Sequence, residues 1–326
     1  MPALSLKDIQ RLVEPELKAF AGRYDDFIQT TGTPIVDRII VFLGPGRGKL
    51  LRPTLTYLSA RLLGESNERT HFAAVVVELL HNATLMHDDV VDKSDRRRGL
   101  PSLNSVFGNK ISVLFGDWLL AHSLLGMLEC GDTRVFAVLA ETARRLAKGE
   151  LDQAARSRNL DMDEETYYRM VSNKTGALLG AACRLGGLSN GADEDQLAAL
   201  QTFGETIGIA FQIQDDLLDY TGSESLIGKP AGADLKDGKI TLPLLYAFDR
   251  SAGSEVRQIK ALIKGRKRGD IRRAVEFAHE KGGVDAAHRR ARELGEQALA
   301  CLEIFPDTGI RQSLVDFSAF AVNRTY

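Results

Sequence analysis

The sequence has too few cysteines to build a disulfide framework or a structural zinc site. Its 326 residues include only Cys130, Cys183 and Cys301. Their number is odd and their spacing is wide, and neither property suits paired or metal-ligating cysteines. We therefore expect three free thiols and a protein of the reducing cytoplasm.

Long hydrophobic runs and an excess of one charge are also absent. The N-terminus lacks the basic flank and the unbroken apolar core of a signal peptide, and no run of about 18 apolar residues predicts a transmembrane helix. The 42 basic and 44 acidic residues leave a net charge of −2, which gives no general attraction to nucleic acid or to an anionic membrane. We expect neither a nucleic-acid partner nor a transmembrane segment, so any contact with lipid would use a pocket or a surface.

Proline is missing from the middle of the chain. None of the nine prolines falls between residues 102 and 229. Apolar residues recur there at intervals of three and four, which is the helical period. No linker rich in Ser, Pro or Gly divides the chain, and 44% of its residues are apolar, which is enough for a sizeable core. These patterns predict an all-α protein with one large helical domain over residues 1–326.

The same periodicity locates the individual helices. Gly204 and Gly208 lie four residues apart, which predicts a close helix crossing. The predicted helices are 6–30 with a break at Pro15, 35–43, 53–63, 68–92, 109–128, 133–156, 163–185, 194–220, 242–249, 254–264, 271–281, 284–302 and 310–322.

Two acidic clusters stand out because each lies in a strongly apolar segment. Asp88-Asp89-Val90-Val91-Asp92 and Asp215-Asp216-Leu217-Leu218-Asp219 share one spacing. On a helix the first and last aspartates of each cluster share a face, and the middle one lies about 100° further round. Unpaired carboxylates are costly to bury, and Mg²⁺ binds carboxylates together with substrate phosphates. Two facing helices of this kind predict a Mg²⁺–diphosphate site, and two solvated acidic faces are the alternative interpretation.

Basic residues accompany these clusters. Arg pairs bidentately with phosphate oxygens and Lys acts as a point charge, so both suit a diphosphate that metal ions cover on one side only. The basic residues are Lys49 and Arg52 after a glycine-rich loop, Arg96-Arg97-Arg98 after the first cluster, Lys174 beside Thr175, and Lys229 and Lys239 after the second cluster. Solvated loops are the alternative for the arginine triplet and for Lys49 and Arg52. The loop at 44–48 is not a nucleotide P-loop, because the G-x-x-x-x-G-K-[ST] ending is absent.

Two polar residues share the helical faces of the aspartates. His81 precedes Asp88 by seven residues, which is about two helical turns. It would either donate to a phosphate or be a satisfied core histidine. Gln212 precedes Asp215 by three residues, and it would either bind substrate or cap the pocket.

These motifs, in this order, form a family pattern. The chain resembles the trans-isoprenyl diphosphate synthases, also called polyprenyl synthases, over most of its length from about residue 48. The resemblance rests on Gly-Lys-x-x-Arg-Pro at 48–53, the aspartate-rich motif at 88–92 with Arg-Arg-Gly at 97–99, Lys-Thr at 174–175, Phe-Gln at 211–212 with the second aspartate-rich motif at 215–219, and GKPAGADLKDGKITLPLLYA at 228–247. It implies a helical bundle of the isoprenoid synthase type, with the active-site cavity between central helices, and a homodimer.

The resemblance also implies a role for each motif residue. Isopentenyl diphosphate would be held by Lys49, Arg52, His81 and Arg98. Mg²⁺ would be ligated by Asp88, Asp92 and Asp215, with Asp89, Asp216 and Asp219 in support. The allylic diphosphate would be surrounded by Arg97, Lys174, Thr175, Gln212, Lys229 and Lys239. Leu50 and Gly176 depart from the basic residue and the alanine common in the family, which weakens the diphosphate assignments nearby but not the implied activity.

By the same resemblance, the reaction is a head-to-tail condensation. Metal ions and the basic residues draw charge onto the leaving diphosphate, the allylic C–O bond ionises, and the isopentenyl double bond attacks the carbocation before a proton is lost. The aspartates and Lys174 would be the catalytic groups. The protein supplies positioning and preorganised electrostatics, and a deep apolar bundle would exclude water from the cation. A peripheral membrane contact could serve product release.

The residues beneath Asp88 are expected to set the product length. Thr84 lies one helical turn, about 6 Å, below Asp88, with Ala83 beside it and Leu80 a further turn down. Short-chain members of the family tend to carry aromatic plugs there, whereas Ala83 and Thr84 are small. The segment 81–99 also looks most like octaprenyl-type synthases. We expect a product near eight isoprene units for a quinone side chain; a tunnel closed deeper down would instead give farnesyl or geranylgeranyl diphosphate.

Other proteins with acidic helices fit less well. A class I terpene cyclase spreads its second motif over nine positions, and a head-to-head synthase would show two D-x-x-x-D motifs. A di-iron bundle needs Glu-x-x-His near the clusters. A noncatalytic subunit of a heteromeric synthase is the alternative from a different functional class, but such subunits tend to lack one aspartate motif and both are intact here.

Overall fold

The fold is built from helices, as the sequence predicts. The computed structural model describes residues 5–28, 33–43, 48–97, 99–156, 160–221 and 232–323. Within those ranges, strand is limited to a small hairpin that pairs β1 (Arg96–Arg97) with β2 (Leu100–Pro101). The all-α prediction is therefore confirmed.

Most helices begin and end within a few residues of their predicted positions. The first half of the chain contains α1 (Leu6–Gln10), α2 (Glu14–Ile28), α3 (Pro34–Leu43), α4 (Leu51–Arg61), α5 (Glu68–Val91), α6 (Leu103–Phe107), α7 (Asn109–Glu129) and α8 (Thr133–Arg156). The second half contains α9 (Glu164–Val171), a π-helical turn (Ser172–Gly176), α10 (Ala177–Ser189), α11 (Glu194–Thr221), α12 (Ala233–Lys236), α13 (Leu242–Asp249), α14 (Gly253–Gly265), α15 (Arg268–Glu280), α16 (Gly283–Ala300) and α17 (Gly309–Val322).

Two of the predicted helices are interrupted. A 3₁₀ turn, Arg11–Val13, divides the predicted helix 6–30, and α2 restarts with Pro15 in its first turn, where the missing N–H is not needed. The predicted end of that helix, beyond residue 28, lies outside the described residues. The π-helical turn divides the predicted helix 163–185. The short helices α6 and α12 were not predicted, because five and four residues are too few to show a period.

Two clusters of buried apolar residues meet at α11. The larger cluster surrounds α4, α5, α10 and the first half of α11, and it includes Tyr57 and Phe203. The smaller cluster surrounds the second half of α11 together with α13, α15 and α16, and it includes Leu217 and Phe277. A buried side chain of this size stabilises the fold by about 1.5–3 kcal/mol. The two acidic clusters therefore lie on helices whose positions are fixed by extensive packing.

Glycines allow α10 and α11 to cross in close contact. A Cβ atom at Gly204 would lie 2.5 Å from the carbonyl oxygen of Leu179, and one at Gly208 would lie 2.7 Å from the Cα atom of Gly176. No larger residue fits at either position without moving the helices apart. The predicted close crossing at Gly204 and Gly208 is therefore confirmed, and it places the π-helical turn directly against α11.

The helix α7 packs along α5 but leaves an apolar face exposed. Leu114, Leu124, Leu125 and Leu128 are between 45% and 71% exposed. The most apolar 18-residue window of α7 has a mean hydropathy of 1.6, and 39% of it is buried. By length and composition alone, α7 could cross a membrane. We did not expect such a helix, because Asp117 interrupts its apolar run.

Candidate active site

The first acidic cluster ends α5. The Asn67 side chain caps the start of this helix by accepting hydrogen bonds from two backbone N–H groups, and Asp92 forms its C-cap. The Asp92 N–H donates to the Asp88 carbonyl over 2.8 Å, so the helical geometry continues to the last aspartate. The Asp88 side chain is 18% exposed and that of Asp92 is 37% exposed. The two carboxylates therefore lie at the end of α5 with partial access to solvent.

Asp89 points away from this pair into a buried ion pair with Arg97. The Asp89 side chain is only 1% exposed, and its Oδ1 atom lies 2.7 Å from Arg97 Nη2. The Arg97 Nε–H also donates to both carboxylate oxygens, over 2.9 and 3.0 Å. Asp89 thus holds the β1–β2 hairpin against the end of α5. In this structure, Arg97 is bound to an aspartate and does not stand free to meet a diphosphate.

Lys174 enters the site from the π-helical turn. Its Nζ atom lies 2.7 Å from Glu150 Oε1 on α8 and 4.0 Å from Asp88 Oδ2 on α5, and it donates to Gln153 Oε1 over 3.4 Å. Burial lowers the pKa of Lys174, but the carboxylates of Asp88 and Glu150 outweigh that effect and leave the pKa raised. Lys174 is therefore a cation held at the first acidic cluster.

A chain of hydrogen bonds connects the π-helical turn to the second acidic cluster. The Thr175 hydroxyl donates to Gln212 Oε1 over 2.9 Å, and Gln212 Nε2 donates to Asp216 Oδ1 over 2.9 Å. The Tyr167 hydroxyl donates to Asp216 Oδ2 over 2.6 Å. Burial, together with the nearby Asp234 carboxylate, raises the pKa of Asp216 to about 8, while the hydrogen bonds from Tyr167 and Gln212 oppose the shift. Gln212, which was expected on the face of Asp215, therefore contacts Asp216 of the same cluster.

The last aspartate of the second cluster has a different environment. Asp219 accepts hydrogen bonds from the backbone N–H groups of Ala233 and Asp234, over 2.9 and 3.1 Å. It therefore anchors the start of α12 to the end of α11. Lys239 follows α12, and its Nζ atom lies 3.6 Å from Asp92 Oδ1. The segment that Asp219 anchors thus carries a lysine to the first acidic cluster.

Some of these side chains line a cavity of about 130 Å³. Lys174 and Lys239 line it, and both are also ion-paired to the aspartates of α5. Apolar side chains from α9 and from the segment before α13 complete the wall. The lining residues are Gln153, Leu160, Asp161, Met162, Met170, Val171, Lys174, Thr175, Gln212, Asp216, Asp234, Gly238, Lys239, Ile240 and Thr241. One aspartate of the second cluster therefore meets a hydrogen-bonding amide and two lysines at this apolar-walled cavity, and the lysines connect it to the first cluster.

Comparison with known proteins decides the family. The profile of the polyprenyl synthetase family matches residues 34–279. The chain belongs to the polyprenyl synthetases. It is thus a prenyltransferase with the all-α isoprenoid synthase fold, as the motif pattern implied.

Individual relatives match almost the whole polyprenyl synthetase chain. The octaprenyl diphosphate synthase of Escherichia coli (strain K12) is 35% identical over 291 residues, which is 89% of this chain and 90% of that protein. Heptaprenyl diphosphate synthase component 2 of Geobacillus stearothermophilus is 34% identical over 99% of this chain and 100% of its own length. A crystal structure of a polyprenyl synthase from Caulobacter crescentus CB15, complexed with calcium and isoprenyl diphosphate, has a TM-score of 0.92 and 36% identity over 99% of both chains.

The predicted isopentenyl diphosphate residues of this polyprenyl synthetase lie apart from the cavity lining. Lys49 and Arg52 lie at the start of α4, where Leu50 adopts a left-handed conformation (φ 48°) before the helix begins, and Gln10 donates to the Lys49 carbonyl over 2.9 Å. His81 lies half-buried within α5. Arg98 and Lys229, which were also predicted to bind diphosphate, lie outside the described residues.

The predicted product-length residues differ in exposure. Ala83 and Leu80 are each 2% exposed and belong to the larger apolar cluster. Thr84 is partly exposed, and its hydroxyl donates to the His81 carbonyl over 2.7 Å. Of the three positions, Thr84 is therefore the one where a larger side chain would meet space and not the packed core.

The aspartates of this polyprenyl synthetase fit a metal that binds together with substrate. Among the described residues, no three His, Cys, Asp or Glu side chains are grouped to hold a metal ion unaided. Mg²⁺ does not need such a group, since it is usually held by one or two carboxylates plus phosphate oxygens. Burial raises the pKa of Asp88 to about 6, with Lys174 opposing the shift and Glu150 adding to it. A cation beside Asp88 would offset that burial cost, so the donor set suits Mg²⁺ bound with a diphosphate.

Three residues of the site were not predicted from the sequence. Glu150 and Gln153 both contact Lys174, and Tyr167 donates to Asp216. Glu150 and Gln153 are three residues apart, so they share one face of α8. Their shared face is a weak signal in the sequence, because α8 carries many other charged residues.

Proposed function

We propose that this chain is a single-domain, cytoplasmic synthase that condenses isopentenyl diphosphate head-to-tail with an allylic diphosphate to give an all-trans polyprenyl diphosphate. The observation that carries the proposal is the pair of lysines at the cavity. Lys174 reaches Asp88 and Lys239 reaches Asp92, and both line the same cavity as Asp216 of the second cluster. Cations and carboxylates interleaved in this way suit a site that binds a diphosphate through metal ions on one side and lysines on the other.

The side chains of the cavity would bind and orient the allylic diphosphate. Lys174 and Lys239 would act as point charges on its oxygens, and the Thr175–Gln212 pair would offer hydrogen bonds. The Asp88, Asp92 and Asp215 carboxylates would hold Mg²⁺, which when bound neutralises charge on the leaving diphosphate. Asp89 and Asp216 would support them from their buried hydrogen bonds. The apolar wall would keep water away from the allylic cation as the C–O bond breaks.

A second substrate position follows from the remaining basic residues. Lys49, Arg52, His81 and Arg98 would hold isopentenyl diphosphate, while Arg97 and Lys229 would join the allylic site. For Arg97 this requires its guanidinium to release or share Asp89, which it now contacts over 2.7 Å. The isopentenyl double bond would then attack the allylic carbon, and the proton would leave to the released diphosphate.

We also propose that the product has about eight isoprene units and serves as a quinone side chain. Ala83 and Thr84 are small residues on the turn below Asp88, and the octaprenyl diphosphate synthase of Escherichia coli is 35% identical. Farnesyl or geranylgeranyl diphosphate is the alternative product, since a short chain isoprenyl diphosphate synthase of Methanothermobacter thermautotrophicus is 30% identical over 86% of this chain.

The oligomer proposed for this synthase is a homodimer formed through α7. Four leucines of that helix are exposed, and Val106 of α6 and Phe136 of α8 are exposed as well. The relative that is component 2 of a heptaprenyl synthase favours a second candidate, in which this face binds a different subunit. The activity and the mass of the purified chain alone distinguish the homodimer from the complex with a different subunit.

A peripheral membrane contact would serve product release with either oligomer.

The deciding experiment is a product assay on the purified chain. The protein is given Mg²⁺, labelled isopentenyl diphosphate and farnesyl diphosphate, and the dephosphorylated products are sized. We expect Mg²⁺-dependent incorporation and a ladder ending near eight units. Products that stop at four units, or at three units from a shorter allylic primer, would overturn the product length alone. No incorporation with this or shorter allylic primers would overturn the synthase proposal and favour the partner-subunit candidate.

A further inference from the structure

A bidentate ion pair lies outside the cavity, where α8 and α11 approach each other. Arg145 Nη1 lies 2.6 Å from Glu205 Oε1, and Nη2 lies 3.0 Å from Oε2. Both side chains are only about one-fifth exposed. Gln201 also donates to Glu205 Oε1, over 2.9 Å. Neither charged residue lines the cavity, and none of the roles proposed above uses them.

The same guanidinium also binds the π-helical turn. Arg145 Nη2 donates to the Ser172 hydroxyl over 2.9 Å and to the Ser172 carbonyl over 3.4 Å, and its Nε donates to Asn173 Oδ1 over 3.2 Å. The Ser172 carbonyl is the acceptor for the Ala177 N–H, five residues later. A bond over five residues is the hydrogen bond of a π-helix. Arg145 therefore contacts the turn at a carbonyl that accepts one of its π-helical hydrogen bonds.

The next two residues of the turn are those that enter the cavity. Lys174 contacts Glu150 and Asp88, and Thr175 donates to Gln212. The backbone of the turn is packed closely on two sides. A Cβ atom at Gly149 of α8 would lie 3.1 Å from the Lys174 backbone nitrogen, and one at Gly176 would lie 3.0 Å from the Glu205 carbonyl oxygen. A shift of Ser172 and Asn173 would therefore move Lys174 and Thr175 with them.

We infer that Arg145 and Glu205 are positioning residues, which fix the π-helical turn so that Lys174 and Thr175 meet the allylic diphosphate. Isolated π-helical turns are rare and less favourable than continuous α-helix, so a turn of this kind needs contacts that prefer it. The fork of Arg145 supplies three such contacts, and Glu205 holds the fork in one orientation by a bidentate pair. The ligand named here rests on the function proposed above.

The test compares two neighbouring arginines of α8. Arg145→Met removes the fork, and Arg144→Met is the matched control, because Arg144 pairs with Glu141 over 2.7 Å on the exposed side of the same helix. We expect Arg145→Met to raise the KM for farnesyl diphosphate about tenfold or to lower kcat by a similar factor. The KM for isopentenyl diphosphate and all constants of Arg144→Met should stay within about twofold of the unmodified enzyme.

Two further variants separate positioning from simple stabilisation. The double variant Ser172→Ala, Asn173→Ala leaves the Arg145–Glu205 ion pair intact but removes two of the three contacts that Arg145 makes with the turn. This variant should show the same kinetic change as Arg145→Met. It also tests the inference if Arg145→Met fails to fold. The charge swap Arg145→Glu, Glu205→Arg restores an ion pair, and it should recover the Tm without recovering the KM. A loss of Tm with unchanged kinetic constants in Arg145→Met, or a swap that restores both, would overturn the inference.

Amide hydrogen exchange tests the positioning role of Arg145 independently of the proposed reaction. The Ala177 N–H should exchange about tenfold faster in Arg145→Met than in Arg144→Met, because the π-helical hydrogen bond opens more often. Unchanged exchange over 172–177 would overturn the positioning role whatever the enzyme catalyses. If exchange is faster in Arg145→Met but the unmodified enzyme incorporates no isopentenyl diphosphate, the positioning role of Arg145 and Glu205 is upheld. Only the proposed reaction is then overturned.

Discussion

Lys239 Nζ lies 3.6 Å from Asp92 Oδ1, so a lysine that follows the second aspartate cluster in the chain reaches the last aspartate of the first. The two residues are separated by 147 positions (239 − 92). Together with Lys174 at Asp88, this contact places one lysine beside Asp88 and one beside Asp92 at the end of α5. The two lysines that neutralise these aspartates are thus the same residues that are proposed to contact the diphosphate.

Removal of the Lys239 charge should weaken the allylic site. We expect Lys239→Met to lower kcat/KM for the allylic diphosphate at least tenfold, because a cation is lost at the cavity wall. Lys236→Met is the control, since Lys236 is exposed on α12 three residues earlier. Steady-state kinetics with both substrates would check this. Equal loss in the two variants would mean that general charge, and not the Lys239–Asp92 contact, matters.

Loss of the Asp219 carboxylate should act through the backbone of α12. Its two hydrogen bonds to the N–H groups of Ala233 and Asp234 resemble a helix cap, and such caps are worth about 1 kcal/mol. We expect Asp219→Ala to lower the free energy of unfolding by about that amount and to reduce activity without changing the Mg²⁺ concentration for half-maximal rate. Asp215→Asn, by contrast, should raise that Mg²⁺ concentration. A raised Mg²⁺ requirement in Asp219→Ala would assign Asp219 to the metal instead.

The Mg²⁺ effect on stability should depend on pH through Asp88. Its pKa is raised to about 6 by burial, so the folded protein keeps a proton that the unfolded chain loses, and the metal-free protein should lose stability as the pH rises from about 4 to 6. Mg²⁺ binds the carboxylate form. We therefore expect Mg²⁺ to leave the Tm unchanged at pH 5 and to raise it by about 2–4 °C at pH 7.

Thermal unfolding in chelator and in Mg²⁺ across this pH range would check that expectation. Asp88→Asn cannot titrate, so it should show a flatter pH dependence between pH 4 and 6 and a smaller Mg²⁺ effect at pH 7. A Mg²⁺ effect of equal size at pH 5 and pH 7 would contradict the link to Asp88.

A bulky residue at position 84 should shorten the product. Thr84 is partly exposed, whereas Ala83 and Leu80 are packed in the core, so Thr84→Phe should block the growing chain with little cost to folding. We expect the product ladder to end several units earlier. Thr84→Val keeps the volume while it removes the hydroxyl that donates to His81, and it should leave the ladder unchanged. An unchanged ladder in Thr84→Phe would place the tunnel along another face of α5.

The long helices could be predicted from the sequence because many residues repeat one period. The acidic clusters could be recognised because the aspartates of each are neighbours in the chain and share one spacing. The π-helical turn at Ser172–Gly176 could not, since a turn of five residues is too short to leave a pattern of apolar positions. The same limit applies to Asp219, whose spacing from Asp215 equals that of Asp92 from Asp88. Only the position of α12, fixed by tertiary packing, decides that Asp219 caps a helix.

Glu150 and Arg145 illustrate a second limit. Both lie in the second half of α8, where charged residues are frequent. On sequence alone, neither differs from the exposed Arg144. What distinguishes them is the partner that folding brings near, Lys174 for Glu150 and Ser172 for Arg145. Partners of this kind come from distant parts of the chain, so local pattern does not reveal them.

The π-helical turn makes this part of the chain tolerant of one change in length. It contains one residue more than an α-helical turn would need, and elsewhere on a helix one residue corresponds to a rotation of about 100°. Loss of the extra residue would convert the turn to ordinary α-helix and keep Gly176 against α11, where a Cβ atom would lie 3.0 Å from the Glu205 carbonyl oxygen. Single-residue gaps in related sequences should therefore fall in this turn more often than within α10, where the loss of one residue would rotate the face that packs on α11.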